Sequence, residues 1–291
     1  MSQRTFDRAS EDLGNIVDIG HVNLRIPDQK LATLFYISGL GLTRDPYLMT
    51  GVDNMWVNVG QSQFHLPTGE AAYAPHTLTG LVVPDRAALL ERLKKVSGDL
   101  AGTRFSWRET NEAVETTCPW GNRIRCHEPD SARFGQMRSG MAYVEFDAPA
   151  GSLARIVRFY EQMFDAQCML GSDAQGAFAR IACGPGQALY FRETSEGAAP
   201  CPPHHIQIYL ADFSGPYRKL GARGLISEES SQHQYRFENI IDLDTGDVLF
   251  TIDHEVRSMT HAMFGRPLVN RNQEQTARTY RSGADAGQIW L

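Results

Sequence analysis

The sequence predicts an α+β fold of four tandem βαβββ modules that close into two cupped, barrel-like mixed sheets, and three observations predict it. A strand followed by a helix recurs four times. Pro-Asp pairs open two of the helices, and a Phe-Tyr pair stands at the same place in two of them. Each copy then closes on short strands, with Gly-Asn, Gly-Gln or Gly-Asp before the last of them. Repetition of this kind defines the architectural unit before any single motif does.

The first copy begins at residues 16–26, where apolar and polar residues alternate and Val22, Leu24 and Ile26 share one face, as in a half-buried strand. Pro27 and Asp28 change the period. Leu31, Leu34 and Phe35 fall at helical spacing, and Gly39 and Gly41 end the helix. NMWVNVG and SQFHLP follow as two short strands joined by a turn. The second copy is LTGLVVPDRAALLERLKKV, with Pro84 and Asp85 as its helix start, closed by ETTCPWGNRIRCHEP. The third runs from SGMAYVEFDAP through a helix carrying Phe159 and Tyr160, the counterparts of Phe35 and Tyr36, to the strands ARIAC and ALYFRE. The fourth is HHIQIYLADFSGPYRKLGARGL, closed by YRFENIIDLDTGDVLFTIDHE. One such unit leaves a sheet face uncovered, so the copies must pair. In chain order the modules form a first pair over 1–135 (about 15–70 and 76–130) and a second over 136–260 (about 139–195 and 203–256), with a C-terminal extension at 261–291.

Composition narrows the function. A net charge of -6 argues against a nucleic-acid or anionic membrane partner, both of which require a basic face. No apolar run approaches the roughly 18 residues of a membrane span, and the polar N-terminus has no apolar core for a signal peptide, so a cytoplasmic location is expected. The five cysteines, Cys118, Cys126, Cys168, Cys183 and Cys201, are scattered and odd in number, which predicts free, mostly buried thiols.

On the phrases GHVNLRIPD with LFYISGLGL, and CPWGNRIRCHEP, the chain resembles the vicinal oxygen chelate superfamily over about residues 15–255. That group contains glyoxalases, bleomycin-resistance proteins and extradiol dioxygenases. The resemblance implies paired modules cupped around one divalent metal, with ligands from the head of each first strand and from each last strand. Laying the copies together places His21, Leu78, Met141 and His205 at the first position, and His65, Arg125, Tyr190 and Phe250 at the second, with His254 or Glu255 as the alternatives to Phe250. Most four-module relatives pair module one with two. Some single-chain glyoxalases pair one with four, and that pairing would bring His21, His65 and His205 into one cleft. The polar faces His21, Asn23, Arg25 and His205, Gln207, Tyr209 favour it, since they look like partners across a twofold.

The implied chemistry is that of a metal-dependent enzyme. His21, His65 and His205 would hold one Fe, Zn, Mn, Co or Ni ion, since neutral imidazole suits all five. Glu255 would move the proton, with Asp253 in reserve, and Asn23, Arg25, Gln207 and Tyr209 would contact a small-molecule substrate. The competing reading is a metal-free protein that sequesters an aromatic compound, as the bleomycin-resistance relatives do, with Trp56, Tyr143, Tyr190 and Tyr209 as stacking surfaces. Met141 and Phe250 stand where extradiol dioxygenases carry a histidine and a glutamate, which disfavours ordinary ring cleavage. His76 is expected in a loop, His204 at the surface, and His127 and His254 at solvated strand ends. In the C-terminal stretch from His254 onward, Arg257, Arg266, Asn270 and Arg271 are read either as lining a cleft for an anionic substrate or as a surface wrap or homodimer contact. Ile289, Trp290 and Leu291 are read as a docking end.

Overall fold

A computed structural model of the chain describes residues 6–48, 53–73, 77–194, 204–271 and 276–278. Module one runs β1 (Ile16–Asn23), α1 (Gln29–Ala32, continuing as a π-helical stretch over Thr33–Gly39), β2 (Thr43–Arg44), β3 (Asn54–Val59) and β4 (Ser62–Pro67). Module two runs β5 (Thr77–Val82), α2 (Arg86–Val96), β6 (Ser106–Glu109), β7 (Val114–Thr117) and β8 (Arg123–His127), followed by the short α3 (Ser131–Phe134). Module three contains β9 (Gly140–Pro149), α4 (Leu153–Phe164), β10 (Cys168–Asp173), β11 (Gly176–Ala182) and β12 (Ala188–Thr194). Module four contains β13 (His205–Leu210), α5 (Ser214–Gly221), β14 (Ile226–Ser231), β15 (Gln234–Ile241) and β16 (Val248–Ser258).

The helix starts form as their residues dictate. Asp28 accepts a hydrogen bond from the Leu31 amide at 2.9 Å, and Asp85 accepts one from the Ala88 amide at 2.8 Å. Each satisfies a backbone donor that the first turn leaves unpaired. The Phe-Tyr pairs at 35–36 and 159–160 are fully buried and anchor their helices to the sheets.

The modules assemble into two eight-stranded sheets, ordered β14-β15-β16-β13-β1-β4-β3-β2 and β10-β11-β12-β9-β5-β8-β7-β6. One sheet joins module one to module four and the other joins module two to module three. At the centre of each, two first strands run antiparallel, β1 with β13 and β5 with β9. The helices follow the chain instead. The helix of module one packs on α2, and α4 packs on α5. Modules one and two, and modules three and four, therefore touch through helices, while the strand ladders join one to four and two to three.

Three histidines expected at the surface or at solvated strand ends are core residues. His204 is buried and donates Nδ1–H to the Asn23 carbonyl at 2.8 Å. His254 stacks on Phe237 and accepts from the Tyr160 hydroxyl at 2.6 Å. His127 is buried with its Nε2 2.9 Å from the Tyr143 hydroxyl. The covering differs: His204 lies against Phe146 of the other sheet, His254 lies under Tyr160 of α4, and His127 is covered by Tyr143 of its own sheet and Phe134 of α3. Cys118, Cys126, Cys168 and Cys183 are free, and all but Cys168 are buried. His76, Cys201 and Ile289 to Leu291 lie outside the described residues. The segment after β16 lies back on the sheet of modules one and four: Phe264 packs on Tyr209, Arg266 pairs with Asp45, and Asn270 donates to the Gly60 carbonyl. Among the described residues no helix is long and apolar enough to cross a membrane.

Candidate metal centre

The strand register decides which residues meet. Between β1 and β13, His21 stands opposite Gln207 and Asn23 opposite His205. The parallel ladders set His65 beside Asn23 in module one and Glu255 beside Gln207 in module four. His21 with His205, and His65 with Glu255, are thus equivalent pairs about the local twofold. Glu255, not Phe250, occupies the last-strand position. Register irregularities between β15 and β16 make a count from their hairpin unreliable, and Phe250 instead packs on Phe146 and Phe191.

The same rule applied to the other sheet picks out Leu78, Arg125, Tyr143 and Tyr190. Tyr143 replaces Met141 in that set, because a register shift follows Gly80. The Tyr143 ring lies over Gly80, where an added Cβ would come within 2.1 Å of it. Leu78, Tyr143 and Tyr190 pack together there with Phe134 and Val82. The second cleft is filled by side chains, and only the first holds imidazoles at these four positions.

In the first cleft the ligand-capable nitrogens of His21, His65 and His205 lie within 4.8 Å of one another, and His21 Nε2 is 3.1 Å from His205 Nε2. Two nitrogens each about 2.0–2.1 Å from one ion sit roughly 3–3.5 Å apart, so this pair already has ligand spacing. His65 is held differently. Asn23 donates to its Nδ1 at 2.8 Å, and its Nε2 donates to Asn54 Oδ1 at 2.8 Å. Trp56 stacks on its ring at 4.0 Å and meets His21 edge-on at 5.0 Å. To ligate, His65 exchanges one amide contact for the ion.

Charged groups surround the imidazoles. Glu255 Oε2 is 3.6 Å from His205 Nε2. Its carboxylate is gripped by Arg236 and, at 2.6 Å, by Arg257. Arg236 also pairs with Asp253 at 2.5 Å. Burial, followed by the neighbouring His205 and Arg257, holds His21 well below the ordinary imidazole range. Burial and the nearby guanidinium groups lower His65 to about 4 and His205 to about 2. All three rings are therefore neutral at physiological pH, which is the form that binds a metal.

A cavity of about 380 Å³ opens beside His21, between the sheet and the segment after β16. Gln207 and Tyr209 line it, as do Arg257 and Arg266; Asn23 and Arg25 do not. Asn23 instead holds His65, and Arg25 packs over Gly69. Asn270 anchors the extension, and Arg271 is not among the residues lining the cavity. Gln63, the adjacent-register alternative to His65 in the sequence and on the same strand as it, stands beside His21 and donates to Asp45 and Asn58. Sequence reasoning missed Asn54, Arg236 and Asp18. The first two lie on neighbouring strands, with nothing in their spacing to mark them. Asp18 was hidden by a β-bulge. Strict alternation sets it on the face opposite His21, whereas the register shift between Ile19 and His21 turns both toward the cavity.

No family model matches the sequence, and no curated protein matches it. Solved structures do. A putative dioxygenase from Bacillus subtilis superimposes with a TM-score of 0.55 at 15% identity, covering 86% of this chain and 87% of that one. Glyoxalase I from Zea mays superimposes with a TM-score of 0.55 at 13% identity, covering 82% of this chain and 92% of that one. At such identities the likeness is one of fold: the chain has the cupped, four-module fold of the vicinal oxygen chelate superfamily.

Proposed function

We propose that the chain is a metal-dependent enzyme of the glyoxalase or dioxygenase type, acting on a small molecule held through two neighbouring oxygens. The observation that carries this reading is the convergence of His21, His65 and His205 within 4.8 Å in one cleft, while side chains fill the equivalent positions of the other. Three neutral imidazoles suit Fe, Zn, Mn, Co or Ni. Bound there, such an ion would supply Lewis-acid polarisation of the substrate oxygens. Glu255 fits best as a fourth ligand, because it is the twofold equivalent of His65 and because Arg236 and Arg257 pin its carboxylate. A carboxylate so engaged is poorly placed to shuttle a proton. Gln207 and Tyr209 contact the substrate from the cavity wall.

A second reading is favoured by one feature. Both nitrogens of His65 already have amide partners, as suits a metal-free protein that sequesters a small molecule. Elemental analysis of protein purified without added metal or a histidine tag, beside a His21→Ala, His205→Ala double variant, separates the two. The proposal expects about one equivalent of transition metal in the wild type and none in the variant. No metal in either, and no uptake on reconstitution, would leave the metal-free reading standing.

A further inference from the structure

We propose that the cavity beside the histidine centre takes a small uncharged ligand through its hydroxyl groups, and that Asp18 is the residue that selects it. The inference rests on the reading that centre and cavity form one site.

The charges of the wall come first. Three guanidinium groups line the cavity, those of Arg257, Arg266 and Arg138. Two are already neutralised from behind, Arg257 by Glu255 at 2.6 Å and Arg266 by the fully buried Asp45 at 2.5 Å. Arg138 stands exposed at the rim. When Asp18 is ionised, the three carboxylates balance the three guanidinium groups, and the cavity then offers a net charge to neither an anion nor a cation. An anionic ligand, the occupant suggested by counting arginines in the sequence, finds its would-be partners engaged.

Asp18 is the unengaged charge in the inner wall. Its carboxylate faces the cavity with no hydrogen bond or ion pair to it among the described residues. Burial raises its pKa to about 7, so ionisation there is costly unless a donor arrives. Beside it, Gln207 is 0% exposed and neither its amide nitrogen nor its amide oxygen has a partner. An unsatisfied buried amide is costly, and a ligand bringing both a donor and an acceptor removes that cost. The hydroxyl group is the uncharged group that does both. Gly20 makes room for this arrangement, since a Cβ there would lie 1.9 Å from Gln207 Oε1. Met141, Met263, Phe264 and Leu268 supply an apolar wall for the ligand's carbon skeleton. The volume is at the small end of the range for ligand pockets, roughly 300–1,000 Å³.

The test is ligand binding to the full chain stripped of metal, by calorimetry or ligand-observed NMR, with matched neutral and anionic probes: catechol with salicylate, benzyl alcohol with benzoate, glycerol with glycerate. At least one neutral probe is expected to bind about tenfold or more tightly than its anionic counterpart. Asp18→Asn, isosteric and uncharged, is expected to bring that pair to near parity while melting as cooperatively as the wild type. Equal or tighter binding of the anions to the wild type, selectivity unchanged in Asp18→Asn, or no binding by any of the six would overturn the proposal. Failure of the metal reading shows separately, as absence of metal from the untreated wild type, because the probes are read on metal-free protein.

Discussion

Trp56 shows how much of the histidine centre depends on residues that do no chemistry. Its indole lies flat on His65 at 4.0 Å and edge-on to His21 at 5.0 Å, fixing two imidazole planes with one rigid plate. Amide contacts from Asn23 and Asn54 fix the rotation of His65 within that sandwich. Outer partners of this kind set ring orientation, and their loss typically weakens metal binding by 10–100-fold. Trp56→Leu keeps an apolar side chain but removes the plate. Chelator competition is expected to show metal affinity reduced about tenfold or more, with the fold intact; an unchanged affinity would show that the amides alone orient the ring.

At the level of elements, the first strand and the helix after it have separate duties. The bulge between Ile19 and His21 re-aims β1, at the cost of one ladder irregularity, and gives the cavity both Asp18 and His21. The Pro-Asp starts act on stability alone. Asp28 and Asp85 each cap a helix with a side-chain acceptor, a contribution of typically about 1 kcal/mol. Asp28→Ala and Asp85→Ala are each expected to lower unfolding stability by about that much in urea titrations. The two caps share no partner, so the double variant should sum the two losses. A double variant well short of that sum would mean that the two helices, which pack on each other, are coupled through their first turns.

Across the whole molecule, the layered assembly keeps several imidazoles neutral in the core, and this makes stability depend on pH. Burial lowers His127 to about 4. The unfolded chain protonates this ring below about 6.5, while the folded chain resists until about 4. The contribution of His127 is thus complete above pH 6.5 and is lost as pH falls from 6.5 toward 4, on the order of 2 kcal/mol over that window. His127→Gln retains a polar partner for the Tyr143 hydroxyl and removes the titration. Its stability, measured by denaturant midpoints from pH 8 to 4.5, is expected to fall less steeply on the acid side than that of the wild type. Parallel acid limbs would show that His127 is protonated in the folded protein at those pH values.

The four modules, their helix starts and the buried Phe-Tyr anchors were legible in the sequence, because each depends on contacts within some 60 residues of chain: hydrophobic period, capping aspartate, turn glycine. His21, His65 and His205 were legible as well, since a repeat makes equivalent positions visible once one copy is read. The sequence by itself therefore determined the module and nominated the imidazoles. Only the tertiary structure decided the rest. It placed module four beside module one through the β1–β13 ladder, a contact separated by most of the chain that no local period encodes. It moved the last-strand position from Phe250 to Glu255 and the third first-strand position from Met141 to Tyr143, because bulges change register without leaving a mark in composition. It turned Asp18 toward the cavity for the same reason, and it buried His127, His204 and His254 under side chains distant in sequence. Alternation is a property of a strand, whereas register, facing and burial belong to the pair of sheets.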